Sequence, residues 1–283
     1  MTAPSSSLPA LRLKPKANAR AIRHGAPWVY DNELVLDRRS KAIAAGSVAL
    51  LLDDERNELG LVAVNTASRI VGRMLDRDTS AVIDQAWFAT RLRRALDMRE
   101  RLYDAPFYRL VHAEADGLPG VVIDRFGDIA VVQPNAAWAD VRIDMLCAAL
   151  CEVTGVTTVI KNATGRARSL EGLDEDSAVL CGAMPSAPVP VPMNGATYMA
   201  DLEGGQKTGL FFDQRPNHCA RARGCWMCFP MLVAFRWPHW RRGPAMPWPW
   251  TGLNLRCLWP RKVLNPRAFP TVSRSARAMH STC

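Results

Sequence analysis

Gly204-Gly205-Gln206-Lys207-Thr208-Gly209-Leu210-Phe211-Phe212-Asp213-Gln214-Arg215-Pro216-Asn217 is the stretch on which the reading of this chain turns. Its Lys207-Thr208 pair invites comparison with a phosphate-cradling loop. Such a loop needs glycine directly before the lysine, inside a strand-to-helix frame. Here Gln206 separates glycine from lysine, and the frame is missing. Taken alone, the residues fit a glycine turn running into a strand with a polar end.

Asp213 is also the last carboxylate of the 283-residue chain. Up to Asp213, 24 Lys and Arg stand against 27 Asp and Glu, a balance of −3. From Gln214 onward, 12 basic residues stand against no acid. The net charge of +9 would mark a nucleic-acid binder if it were spread evenly. It is instead the sum of a slightly acidic body and a strongly basic end. With 48% hydrophobic and 22% charged residues, the composition is that of an ordinary globular protein, long enough for two domains.

Outward from that stretch, residues 9–77 read as a small β-rich domain. The runs at 46–52 and 59–65 flank the polar turn Asp53-Asp-Glu-Arg-Asn57, a hairpin signal, and residues 70–75 supply a third strand. Residues 83–185 read as a helix followed by a central α/β domain. Ile83, Trp87, Phe88, Leu92 and Leu96 follow helical spacing over 83–103. Arg91, Arg93, Arg94, Arg99 and Arg101 line much of the remainder, as a solvated face or a phosphate-facing stripe. Strands are expected at 108–112, 121–124, 129–133 and 157–161, with a glycine turn at Phe126-Gly127-Asp128 and a helix over 141–153. Cys147 and Cys151 in that helix read as core residues rather than a disulfide. The Pro-rich run 183–193 reads as a boundary or extended linker. The N-terminus has no signal-peptide pattern, and the longest apolar run, Cys225–Phe235, is too short to span a bilayer. A cytoplasmic protein without a membrane is the expectation.

Three motifs occur in order: His24-Gly-Ala-Pro-Trp28-Val-Tyr-Asp-Asn32-Glu, Glu114-Ala-Asp-Gly-Leu-Pro-Gly-Val-Val-Ile-Asp-Arg-Phe-Gly-Asp128, and the Gly204–Arg215 stretch. Together they resemble the bacterial class I, S-adenosylmethionine-dependent large-subunit (23S) rRNA cytosine-C5 methyltransferases, over roughly residues 9–223. The resemblance implies an α/β and β-rich multi-domain chain. It would hold an N-terminal PUA-like β-barrel, a central α+β domain and a Rossmann-like methyltransferase domain whose leading segment is 193–223. It places Lys207, Thr208, Gly209, Phe212, Asp213, Gln214 and Arg215 at the cofactor. Arg215 suits a carboxylate such as that of the methionine moiety, and Asp213 would orient Arg215 or Lys207, the alternative being a structural ion pair between Asp213 and Arg215. His24 and Asn32 match the PUA segment, and Lys14, Lys16 and Arg23 are the phosphate candidates for RNA. Trp28 reads as core. Ribosomal RNA is the implied partner, with a homodimer as a further possibility.

The resemblance stops near Gly224. A Rossmann-type strand and glycine turn should follow the Asp213-Gln-Arg215 motif, with an acid about 20 residues on for the ribose. Residues 224–283 hold neither, and carry 6 of the 9 Trp, 8 of the 20 Pro and 4 of the 8 Cys. The genetic code accounts for this. Cys225-Trp226-Met227-Cys228 must be TGY-TGG-ATG-TGY, which with a two-base offset reads Leu-Asp-Val. The next codons permit Phe-Ser-His-Val-Gly-Gly-Phe. Trp237-Pro238, Met246-Pro247 and Trp248-Pro249 each force alanine, and Trp250-Thr251 forces aspartate. The two aspartates lie about 24 positions apart, which matches the dinucleotide-type β-α-β spacing.

Residues 224–283 are therefore expected to be an out-of-frame, disordered segment. The chain as written then lacks the glycine turn and the ribose acid. In this class of enzyme a cysteine thiolate attacks cytosine C6 to make C5 nucleophilic. The resemblance places that cysteine further along than this sequence extends, so no catalytic residue is assigned. The expectation is a polypeptide that does not itself bind S-adenosylmethionine, with a non-catalytic, RNA-binding PUA-containing fragment as the alternative. If the segment is in frame, its Trp and Arg residues could stack bases. Cys225, Cys228, His239 and Cys257 could then be weighed as zinc ligands, but no metal is assigned.

Overall fold

The computed structural model describes residues 8–203, 210–212 and 215. The chain opens with β1 (Ala10–Arg12), α1 (Ala19–Arg23), β2 (Trp28–Tyr30), α2 (Arg38–Lys41), β3 (Val48–Leu52), β4 (Glu58–Val64) and β5 (Ile70–Asp76). They form one sheet in the order β1-β3-β4-β5-β2, with β1 and β3 parallel and the other pairs antiparallel. The hairpin expected around Asp53 joins β3 to β4, and the third expected strand is β5. β1 and β2 are only three residues long, too short to leave a pattern.

The strands divide their side chains between two cores. Ala49 and Leu51 of β3 point into the barrel with Leu11, Val29 and Leu34. β4 is buried at every position from Leu59 to Val64. Val62 and Val64 enter the barrel core, while Ala63, with Leu75 of β5, joins the core of the next domain. A strand covered on both faces reads as a continuous apolar run, which is what Leu59-Gly-Leu-Val-Ala-Val64 is.

The central domain runs α3 (Gln85–Glu100), β6 (Phe107–His112), β7 (Val121–Phe126), β8 (Ile129–Pro134), α4 (Ala137–Asp140), α5 (Ile143–Thr154), β9 (Thr158–Lys161), α6 (Arg166–Glu171) and β10 (Ala178–Cys181). Asp84 starts α3 by accepting a hydrogen bond from the Trp87 amide at 2.9 Å. Gly155, left-handed at φ 69°, ends α5. The sheet order is β10-β9-β8-β7-β6. α5 is the crossover between the parallel strands β8 and β9.

On one face of this sheet, Ala130, Val132 and Val159 pack against α3 and α5. There Phe88 stacks on Trp138 with ring centroids 5.7 Å apart, and Trp87 meets both edge-on. On the other face, Phe126, Val131 and Ile160 pack against Val191, Met193, Leu210 and Phe212. Cys147 and Cys151 are free thiols, and Cys147 is buried in the core on the α3–α5 face, as expected. Burial pushes its thiol up to about 12.

The Pro-rich run is not simply a linker. Val189–Met193 forms β11, paired antiparallel with β12 (Ala196–Ala200). Pro190 and Pro192 face solvent while Val191 and Met193 are buried. A two-stranded ribbon has only edges, so its prolines need not donate to an inner ladder. Asn194 and Gly195 connect the strands with φ of 55° and 78°, the positive pair that a tight hairpin turn requires.

Candidate functional site

The five residues expected on an RNA-facing surface of the barrel are all exposed, but they do different things. The Leu13–Leu34 bridge sets the two segments side by side, and the Lys14 amide donates to Glu33 O at 2.8 Å. Lys14 Nζ reaches Asn32 O at 2.9 Å. Lys16 sits in the turn before α1 at φ 73°. Asn18 caps α1 through the Ala21 amide, and His24 closes the helix by donating its own amide to Arg20 O and Ala21 O. Arg23 is drawn elsewhere, to Asp53 at 2.5 Å. The Asp53 carboxylate also takes the Asn57 side chain and amide, which hold it below the usual carboxylate range. The structure therefore groups Lys14 with Asn32, places Lys16 before α1 and His24 at its end, and commits Arg23 to the β3–β4 turn.

Trp28 is not core. It is 37% exposed, and its indole N–H donates to Glu114 at 2.8 Å. Glu114 opens the second sequence motif and belongs to a set of polar contacts that joins barrel to central domain. Arg73 of β5 pairs with Glu114 at 3.3 Å and with Glu171 of α6 at 2.9 Å. Asn65 donates to the Glu171 carboxylate and carbonyl, both at 2.9 Å. Arg142 donates to Gly46 O at 2.8 Å. Gly46 must be glycine, because a Cβ there would lie 2.4 Å from Val141 Cγ2 and 2.9 Å from Ala137 O.

α6 is held in place by Arg168, which is fully buried. Its guanidinium donates to Pro134 O at 2.6 Å, to Asp140 at 2.9 Å and to Asp174 at 3.0 Å. Lys161 joins Asp140 at 3.0 Å. Burial pushes the Asp140 carboxyl up, but hydrogen bonds from Arg168 and Lys161 outweigh it and leave it below the usual range.

Of the residues expected at a cofactor, Lys207, Thr208, Gly209, Asp213 and Gln214 lie outside the described residues. Phe212 is buried with its ring 5.0 Å from that of Phe126. Arg215 Nη1 donates to Phe107 O at 3.0 Å, and its guanidinium lies 4.2 Å from the Tyr103 ring centroid. Asn194 donates to Arg215 O at 2.7 Å. Both Phe212 and Arg215 are engaged with the central domain. Among the described residues no group of three or more His, Cys, Asp or Glu is placed to hold a metal ion, and no helix is long and apolar enough to cross a membrane.

Sequence reading missed Arg73, Glu171 and Asn65, which are scattered over 106 positions and come together only in the fold. Glu114 was visible as the first residue of a motif, but its partners were not.

Residues 11–77 match the PUA-like domain family. The chain is homologous to ribosomal RNA large subunit methyltransferase I. It is 30% identical over 228 residues to that protein from Yersinia pseudotuberculosis, and equally to that from Yersinia pestis. The match covers 78% of this chain and 57% of each relative, so the chain spans little more than half the length of the curated relatives it matches. Its fold is similar to that of a Streptococcus mutans chain assigned to the SAM-dependent methyltransferases. The TM-score is 0.61 at 20% identity, over 74% of this chain and 52% of that one. A second methyltransferase structure, solved with SAH, matches to the same extent. The fold class is thus mixed α/β and β-rich, with an N-terminal PUA-like domain, as the sequence implied.

Proposed function

We propose that this chain is the RNA-recruiting front part of an S-adenosylmethionine-dependent methyltransferase acting on cytosine C5 of 23S rRNA, and that as written it binds RNA without methylating it. The match to the ribosomal RNA methyltransferases over 78% of the chain carries this reading. The division into a PUA-like domain over 9–77, a central domain over 83–185, a leading methyltransferase segment over 193–223 and an aberrant segment over 224–283 belongs to the same proposal. The order of the three sequence motifs supports it. Lys14, Lys16, His24 and Asn32 are the RNA-facing set of the barrel. Arg23 contributes by fixing the β3–β4 turn through Asp53. The Lys207–Arg215 loop serves the cofactor only in a completed domain. The cytoplasm, where ribosomal RNA resides, is the compartment.

The incompleteness has a physical ground. S-adenosylmethionine needs a glycine turn for close backbone approach and an acid for its ribose hydroxyls. From Gln214 to Cys283 there is no Asp or Glu to supply that acid. The shifted reading beyond Gly224 forces the aspartate and permits the glycine turn, which favours a change of frame near that codon. Isothermal titration of the chain with S-adenosylmethionine is expected to give no heat of binding. The frame-restored chain is expected to bind. Measurable binding by the chain as written overturns the reading. So does a stop codon in the shifted frame within a few codons after position 251.

A further inference from the structure

We propose that the cleft between the barrel and α3 is a binding site for the phosphodiester backbone of single-stranded RNA, with Arg77 and Arg94 as its phosphate-binding groups; this rests on the RNA-binding reading above and names the place. The cleft encloses about 580 Å³. That is within the roughly 300–1,000 Å³ typical of ligand sites. One wall is the α1–β2 turn with the end of β5, and the other is α3 with the turn Ala113–Asp116.

The charges decide what it can bind. Three carboxylates line the cleft, and each already has an arginine. Asp76 is closed by Arg91 at 2.8 Å and Asp116 by Arg99 at 2.7 Å, while Glu114 shares Arg73 with Glu171 and also accepts the Trp28 indole N–H. Arg91 also donates to Leu75 O and Gly117 O and lies 3.4 Å from the Trp87 ring centroid, so it pins one wall to the other. Arg77 and Arg94 are left over. Both are exposed, both line the cleft, and among the described residues neither has a carboxylate partner. Two guanidiniums without a carboxylate partner, beside acids that are already engaged, make a site for an anion, and guanidinium is the side chain suited to phosphate oxygens.

The walls suit a nucleotide strand rather than a lone ion. Thr90, Arg94 and Met98 recur every fourth residue and so form one stripe of α3. Met98 is 46% exposed, and Met74 lies on the opposite wall, which gives bases an apolar surface beside the cations. Gly25, at φ 113°, leaves the rim open beside Arg77, whose Nη2 would be 3.3 Å from a Cβ there. A duplex is recognised across a broad surface spanning successive grooves, which a cleft of this size does not offer.

The test is fluorescence anisotropy of the full chain with a fluorescein-labelled single-stranded RNA of about 12 nucleotides, over a salt series. Arg77→Ala and Arg94→Ala are each expected to weaken binding about fivefold. Each should also lower the slope of log affinity against log salt by about 0.7, and the double variant by about 1.4. An Arg38→Ala, Arg39→Ala double variant removes the same charge on α2, outside the cleft, and is expected to change affinity less than about twofold. Equal losses in both double variants overturn the cleft as a site. Unchanged binding by the cleft variants, with wild-type binding intact, overturns it while leaving the RNA reading standing. Tighter binding of a duplex of the same sequence overturns the single-strand assignment. No binding of any RNA by the wild-type chain removes the RNA reading itself. Thermal unfolding of the variants, expected to match wild type because both arginines are exposed, keeps loss of fold apart from loss of binding.

Discussion

The two flanks of the central domain are joined to their neighbours by different forces. Toward the barrel, Ala63 and Leu75 add apolar contact, but the seam is set by polar, directional contacts, with Arg73, Glu114, Glu171 and Asn65 closing on one another. Toward the β11–β12 ribbon they are apolar, with Phe126, Val131 and Ile160 against Val191, Met193 and Phe212. An apolar contact tolerates a shift in register at small cost, because dispersion and hydrophobic burial have little direction. A network of paired charges does not, because a displaced partner leaves a charge unmatched. The barrel is thus held in one orientation on the central domain, which a composite cleft between them requires.

Breaking the polar side should cost most. Arg168→Ala removes the buried guanidinium from Pro134 O and from Asp140, which keeps only Lys161, and α6 loses the anchor that presents Glu171 to Arg73. Removing one partner of a buried ion pair costs about 3–5 kcal/mol. Urea unfolding should report that loss, and hydrogen exchange should show β4 and β5 of the barrel loosening with α6. Destabilisation confined to α6 would mean the two domains are not coupled through it. On the apolar flank, Phe212→Ala should cost about 3 kcal/mol as a cavity substitution. Its effect should stay on the ribbon and leave RNA affinity unchanged. An equal loss of RNA binding in the two variants would erase the distinction between the flanks.

The same contrast governs what could be read in the sequence. Periodicity and turn chemistry are local, so α3, α5, the Asp53 hairpin and strands β6 to β9 were legible to within a few residues. The ribbon was legible too, but its prolines masked it. Asn194-Gly195 between short apolar runs is a strong hairpin signal, and a reading that weighed it above Pro190 and Pro192 would have found β11 and β12. The polar seam was not legible, because its four side chains come from β4–β5, a short turn and α6. Trp28 shows why: an aromatic in a short strand reads as core, and only the position of Glu114 explains an indole left at the surface. The charge stripe on α3 resolved into two kinds of arginine. Arg91 and Arg99 were taken by carboxylates that the sequence places 15 and 17 residues away, and Arg94 was left over.

Acid should probe the polar flank before the apolar one. Burial raises the Asp140 carboxyl, yet the donors around it win and hold its folded value below the ordinary one. Asp76 behaves alike, burial being outweighed by the Trp87 indole, the Asp78 amide and Arg91. A depressed folded value means the stabilisation is complete above the unfolded-chain value of about 3.9 and is lost as the pH falls through the folded value. Unfolding followed by tryptophan fluorescence should thus lose stability below about pH 4. The loss should be shallower in Asp140→Asn, whose side chain no longer titrates. Equal acid sensitivity in the two proteins would assign the effect to other carboxylates.

The smallest expected effect lies on the ribbon side, at the polar contact that Arg215 makes among apolar ones. The Arg215 guanidinium rests on the Tyr103 ring, and its Nη1 also donates to Phe107 O. Tyr103→Leu keeps most of the apolar bulk and removes the ring face, so the cost is that of a partly exposed cation–π contact, about 0.5–1 kcal/mol. Arg215→Lys should cost more than Tyr103→Leu, since an ammonium keeps charge but loses the planar face and the geometry that reaches Phe107 O. If the two variants are equally mild, the backbone hydrogen bond contributes little, and the ribbon is held by Phe212 and its apolar neighbours alone. If Arg215→Lys exceeds Phe212→Ala, the flank taken here as apolar depends on a single directed contact, and the contrast with the barrel side disappears.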